Sequence, residues 1–344
     1  GESSPAVSLA AFADSAPVAA PSRVEVEAAR QKASLAALPP GPLVDSERPR
    51  MLGLIDDAMT LERSGRSLAA LETLASVAPG IPALARAASG WKEADSGSGK
   101  GIDALQKEWE AVGAALRPAR AAFDSAPMSG QSAFIRALAE QSLGQVDEHY
   151  AVAVDYGRFS GLSAGAYYLG RAEGQMSWAL TLARLPGERT GAPLSLPALG
   201  PALARLEDDI VAAYAKPGAT AQHTNFILAN SSLKLARELD GHGLRFGALL
   251  TLLRSRLALT LATTTTPSPS RQPELRAAAL AAMKRFEASA QDESIGRSLA
   301  EKALAALDRS EASGEAADRE RLRAAALIDV VIPACVELTK GRTP

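Results

Sequence analysis

Cysteine is nearly absent: Cys335 is the only one in 344 residues. A lone thiol among apolar neighbours excludes an internal disulfide and a cysteine metal cluster. Histidine is almost as scarce. His149, His223 and His242 are the only three, and no two are four residues apart, so a helix-borne metal pair is missing. The acidic run Glu207-Asp208-Asp209 also lacks ligand spacing and reads as the wet face opposite Leu203, Leu206 and Ile210. No metal and no cofactor is expected. Aromatics make up only 4% of a chain that is 47% hydrophobic, so the core must be built from Ala and Leu, the strongest helix formers. Val, Ile and Thr form no sustained alternating run, which argues against an extensive sheet. An excess of one charge is missing too. With 37 basic and 39 acidic residues and no basic block, nucleic-acid binding has no electrostatic support. The apolar run Leu249–Ala262 is broken by Arg254 and Arg256 and is too short to span a bilayer, so no transmembrane segment is expected.

What is present is helical spacing. Ile102, Leu105, Trp109, Val112 and Leu116 recur at three- and four-residue steps, with the helix expected to stop near Pro118; Leu203, Leu206, Ile210 and Tyr214 stripe another. The expected fold is all-α, an irregular stack of about a dozen helices in hairpins. Its organising stretch is Leu54–Pro79, two short helices hinged at Ser64-Gly65-Arg66. Ala58 and Ala70 are small enough for two helices to approach, Leu61 and Leu74 fill the space beside them, and Gly65 ends the first helix. The same spacing returns as Ala236, Leu239, Gly243, Ala248 and Leu252, and more loosely at Gly174 and Ala179. The pentapeptide Gly65–Ala69 recurs verbatim as Gly296–Ala300. This small–large–Gly–small–large rhythm resembles the helix–turn–helix unit of the tetratricopeptide repeat family. The resemblance covers two stretches of the chain, and Leu stands where that family carries aromatics. It implies stacked hairpins and a peptide or protein partner held on their helices.

Composition divides the chain further. Residues 1–22, rich in Ser, Ala and Pro, read as a disordered tether. Residues 23–262 form a helical-hairpin domain, 263–273 (TTTTPSPSRQP) a linker, and 274–344 a helical block interrupted at Pro333. Ala94–Gly101 reads as a loop; its Gly99-Lys100 mimics a phosphate loop, yet Gly101 replaces the Mg²⁺-binding hydroxyl. A start at Gly1 without Met, followed by that tether, suggests an extracytoplasmic protein of the cell envelope with a signal segment removed or a lipid anchor upstream; a cytoplasmic chain is the alternative.

Three candidate sites emerge. His223, Asn230, Lys234 and Arg237 are spaced seven, four and three residues apart, so they share one helix face. Amide and cationic donors suit a carboxylate, and some tetratricopeptide domains grip a partner's terminal carboxylate with such residues. Leu228 is expected on the buried side of that helix. Second, seven of the fifteen aromatics fall between Phe134 and Trp178. Tyr150, Tyr156, Tyr167, Tyr168 and Trp178 are the candidates to line a partner or small-ligand site. Third, Gly161-Leu-Ser163-Ala-Gly165 matches a nucleophile elbow, which needs a strand before the serine; Tyr150–Asp155 is the one strand candidate. The reading favoured is a non-enzymatic binding scaffold, with a small-ligand receptor or a hydrolase using Ser163 as alternatives.

Overall fold

The structure, a computed structural model, describes residues 21–89, 91, 99–187, 192–194 and 196–340. It is an all-α stack of helices. Among the described residues the only β contact is an isolated parallel bridge between Ala192 and Gln291. Most of the tether expected at residues 1–22 lies outside the described residues. Its last residue is structured, because Ser22 caps helix α1 (Arg23–Ala36) in a capping box with Glu25.

The first hairpin pairs α2 (Pro42–Arg63) with α3 (Ser67–Val77). Gly65 takes φ +74°, its N–H donates to Glu62 O at 2.9 Å, and Arg66 N–H donates to Leu61 O at 2.9 Å. These are the two bonds of a Schellman cap. The second hairpin, α9 (His223–Gly241) and α10 (Arg245–Thr263), repeats it: Gly243 at φ +77° donates to Asp240 O and Leu244 to Leu239 O. Ala58, Ala70, Ala236 and Ala248 are fully buried where the paired helices meet. Gly174 is no third hinge. It lies in mid-helix in α7 (Leu162–Ala183), where an added Cβ would stand 2.6 Å from Pro79 Cα, so it permits close contact with α4 (Gly80–Ala87).

One helix runs past its expected ends. α5 (Gly99–Asp124) continues through Pro118, and its first turn contains Gly99-Lys100-Gly101, expected in a loop. α6 (Ala133–Ser160) packs along α7 as the most extensive helix pair. α8 (Gly200–Tyr214) precedes the second hairpin and packs on it as α1 packs on the first. After residues 264–268 come α11 (Gln272–Glu287) and α12 (Ser294–Arg309), then α13 (Glu315–Ala326). A π-helical turn at Leu327–Val331 carries α13 into α14 (Ile332–Thr339), so the irregularity falls just before Pro333. One apolar cluster runs from Val24 to Cys335, joining the C-terminal helices to the hairpins. Two apolar segments, Ser67–Ala87 and Arg245–Thr263, are long enough to cross a membrane, but 61% and 56% of their most apolar windows are buried inside the fold.

The two hairpins are held by matching buried carboxylates. Glu301 of α12 accepts from Ala69 N at 2.9 Å, in the first turn of α3. Glu140 of α6 accepts from Gly247 N at 2.8 Å, in the first turn of α10. Each glutamate has an arginine one turn earlier, in Arg136-Ala-Leu-Ala-Glu140 and Arg297-Ser-Leu-Ala-Glu301, with N–O distances of 3.4 and 3.1 Å. A carboxylate at a helix N-terminus meets free N–H groups and the positive end of the dipole. Burial nevertheless holds both carboxyls above their ordinary range. The repeated pentapeptide thus does two jobs. Gly65 makes a turn, whereas Gly296 sits inside α12, where an added Cβ would meet the Phe286 ring at 2.6 Å.

Candidate functional site

The His223 face does not assemble into a pocket. His223, Asn230, Lys234 and Arg237 all stand exposed on α9. Arg237 is already engaged by Glu207 of α8, with N–O contacts of 2.9 and 2.5 Å, and Lys234, 78% exposed, lies 3.8 Å from Glu238. His223 Nδ1 is 3.3 Å from the Tyr214 hydroxyl. Leu228, expected on the buried side, is 53% exposed beside Ile227. Seven-residue spacing puts four side chains on one face; it does not fold a neighbour over them.

The aromatic centre separates into parts. Tyr150 stacks on Trp109 with centroids 4.7 Å apart. The Tyr150 hydroxyl donates to Trp109 O, and Trp109 Nε1 donates to Tyr150 O, both at 3.0 Å, which fastens α5 to α6. Tyr156 and Tyr168 stack at 4.2 Å, with Tyr167 edge-on to Tyr168 at 6.0 Å. His149 lies beside them, its ring accepting from Arg171 Nε at 3.3 Å; burial, helped by Arg171, holds it down at about 4. Trp178 belongs elsewhere, deep in the main core at 2% exposure.

Ser163 sits in the first turn of α7, just after Gly161 at φ +103°. Tyr150–Asp155 lies inside α6, so the strand an elbow requires is replaced by helix. Gly165 serves packing, since a Cβ there would come within 2.7 Å of Ala153 O. No group of three or more His, Cys, Asp or Glu able to hold a metal is formed among the described residues.

The concave site lies elsewhere, and Trp178 is the one sequence candidate that lines it. A cleft of about 730 Å³ opens between the N-terminal half of α1, the start of α3, the N-terminus of α6, the C-terminal end of α7 and the loop from α11 to α12. Its floor is apolar, with Val24, Leu71, Ile135, Trp178, Leu182 and Phe286; its rim carries Arg23, Glu287 and Arg297, while Glu27 and Asp292 are buried in its wall. The size lies in the range of sites for small ligands or one or two peptide residues, about 300–1,000 Å³. The chain was compared with protein-family models, curated proteins and solved structures. It matches none of them.

The cleft walls are fixed in place. Asp292 accepts from Ala133 N at 2.6 Å and Ser294 Oγ from Phe134 N at 3.0 Å, so the α11–α12 loop caps α6. Ala192 N donates to Ala290 O at 3.0 Å and Asp292 N to Ala192 O at 3.2 Å, which pins the loop from its other side. Gln131 donates to three carbonyls at the end of α7: Leu182, Ala183 and Leu185. Ser132 caps α6 through Ile135 N. The local clues were Gln131-Ser132 and Asp292-Glu293-Ser294, polar residues directly before apolar helical spacing. Nothing in either clue says that they meet.

Proposed function

We propose that this chain is a non-enzymatic helical scaffold that binds an apolar segment of a peptide or protein partner in the cleft between α1, α3, α7 and the α11–α12 loop. The observation that carries this reading is the cleft itself, an apolar floor with a charged rim whose walls are held by caps from distant parts of the chain. Preformed walls lower the ordering cost of binding. The two hairpins, with the same Schellman turn and the same buried glutamate cap, fit a design of related helical units, in keeping with the tetratricopeptide resemblance.

The cleft competes with the Lys234–Arg237 face. Contacts on such an exposed face contribute roughly 0–1 kcal/mol each, too little to define a site. A peptide library is screened against wild type, against Leu68→Trp, which fills the cleft from a half-buried position, and against the double variant Lys234→Ala/Arg237→Ala. The cleft predicts that Leu68→Trp loses the binders and the double variant keeps them. The reverse pattern moves the site to α9. The volume also suits a free small molecule, and a binder set with no peptide in it, found by small-molecule screening and displaced by Leu68→Trp, would favour the receptor reading.

A further inference from the structure

We propose that the cleft recognises its ligand through an amide: a carbonyl that accepts from Trp178 Nε1 and an N–H that donates to Gln131 Oε1, with an apolar side chain on the floor of Val24, Leu71, Ile135 and Phe286. This rests on the cleft being the binding site. The chain has three tryptophans. Trp91 Nε1 donates to Arg86 O at 3.1 Å and Trp109 Nε1 to Tyr150 O at 3.0 Å. Trp178, 2% exposed, lines the cleft, and its indole N–H has no acceptor among the described residues. Buried indole N–H groups ordinarily find one.

Gln131 supplies the complement. It is 3% exposed and lines the same cleft. Its Nε2 faces three carbonyls, Leu182 and Ala183 at 2.8 Å and Leu185 at 3.0 Å, and only the NH₂ end of an amide can do so. The orientation is therefore set, and Oε1, which lies on the other side, accepts from nothing among the described residues. Leu182 is one helical turn beyond Trp178, so the unpaired donor and the unpaired acceptor belong to one stretch of wall. Neither atom is reached by solvent, so bulk water does not satisfy them, and the indole and the Gln131 amide must both shift for a ligand to engage them.

A donor and an acceptor lining one cleft together match a peptide bond or a carboxamide. An ester offers only the acceptor. A carboxylate offers no donor and would meet Glu27, Glu287, Asp292 and Glu293 on the lining. The two lining guanidiniums have contacts of their own, Arg297 with Glu301 and Arg23 with Pro186 O.

The test titrates the ¹⁵N-labelled full chain with N-acetyl-leucyl-leucinamide and with the analogue whose internal amide is an ester. The Trp178 indole resonance is expected to move on adding the amide, while those of Trp91 and Trp109 stay in place. The ester should bind about tenfold more weakly, the worth of one buried hydrogen bond. Trp178→Phe keeps the aromatic bulk and should lose about tenfold for the amide. Equal binding of amide and ester, or undiminished amide binding by a folded Trp178→Phe, overturns the amide assignment and leaves the cleft reading standing. Binding of neither probe also overturns it, and the cleft then stands or falls on the library experiment alone.

Discussion

Glu72 lies between two cations from distant helices, and replacing it by glutamine tests how the hairpins are joined. Its carboxylate lies 2.8 Å from Arg254 of α10 and 3.0 Å from Lys302 of α12, with a side chain only 13% exposed. Burial alone would raise its pKa; Lys302 and Arg254 outweigh that and hold the carboxyl at about 2 against an ordinary 4.5. Lys302 is itself pushed down, because burial and the nearby Arg254 and Arg323 outweigh its share of one carboxylate. The depression of Glu72 corresponds to about 3 kcal/mol of stability at neutral pH. Breaking a buried pair by removing one partner, which leaves uncompensated charge, costs about 3–5 kcal/mol, so two routes agree. Unfolding a chain of this length releases about 0.7 kcal/mol per degree, so Glu72→Gln should lower Tm by about 4–7 °C. The pH dependence has a definite sign. A depressed carboxylate stabilises above its unfolded pKa, so the wild-type advantage should shrink as pH falls from about 4.5 towards about 2. Urea unfolding of both proteins across that range isolates the contribution of Glu72, since Glu140 and Glu301 are common to both. Replacing all three by Glu72→Leu/Lys302→Met/Arg254→Met should restore much of the loss, because no charge of the cluster is then orphaned. A Glu72→Gln stability within about 1 kcal/mol of wild type at pH 7, or a difference that does not change between pH 5 and pH 3, would refute the reasoning.

Gly65→Ala and Gly243→Ala should each cost about 1–2 kcal/mol, through positive φ alone, since nothing lies within 4 Å of the added Cβ; Gly53→Ala, on the open face of α2, should be neutral or stabilising by up to about 1 kcal/mol. Equal unfolding midpoints for all three would remove the Schellman turns from the account. His149 should titrate near 4 in an NMR series. Because its folded pKa is depressed, it should destabilise the fold progressively as pH falls from about 6.5 to about 4; a midpoint above 6 would show that the ring is not buried against Arg171. Ser163 should not react with fluorophosphonate probes, and Ser163→Ala should leave any activity unchanged; stoichiometric labelling at that residue would restore the hydrolase alternative.

Local chemistry made part of this structure legible. The hinges could be read because a Schellman turn needs a glycine at one position and small residues where the two helices cross, and both requirements leave marks within about a dozen residues, at Ala58, Gly65 and Ala70 and again at Ala236, Gly243 and Ala248. The helix stripes were readable for the same reason. Errors arose where a local signal had two structural meanings. Pro118 can end a helix or ride inside one, Gly174 can turn a chain or admit a neighbour, and Gly161-Leu-Ser163-Ala-Gly165 can be an elbow or a helix crossing.

By itself, then, the sequence determined an all-helical chain with an Ala- and Leu-built core, two glycine-hinged hairpins and no surplus of charge. Each of these follows from residue propensity, spacing within a few turns, or composition. Tertiary structure decided everything that joins residues far apart. Glu301 meets Ala69 across 232 positions, Asp292 meets Ala133 across 159, and Gln131 meets Leu182 across 51. The cleft is made of such meetings. The polar residues that build it look, in sequence, like ordinary helix caps, and helix spacing fixes which side chains share a face but not which helix another part of the chain will lay against it.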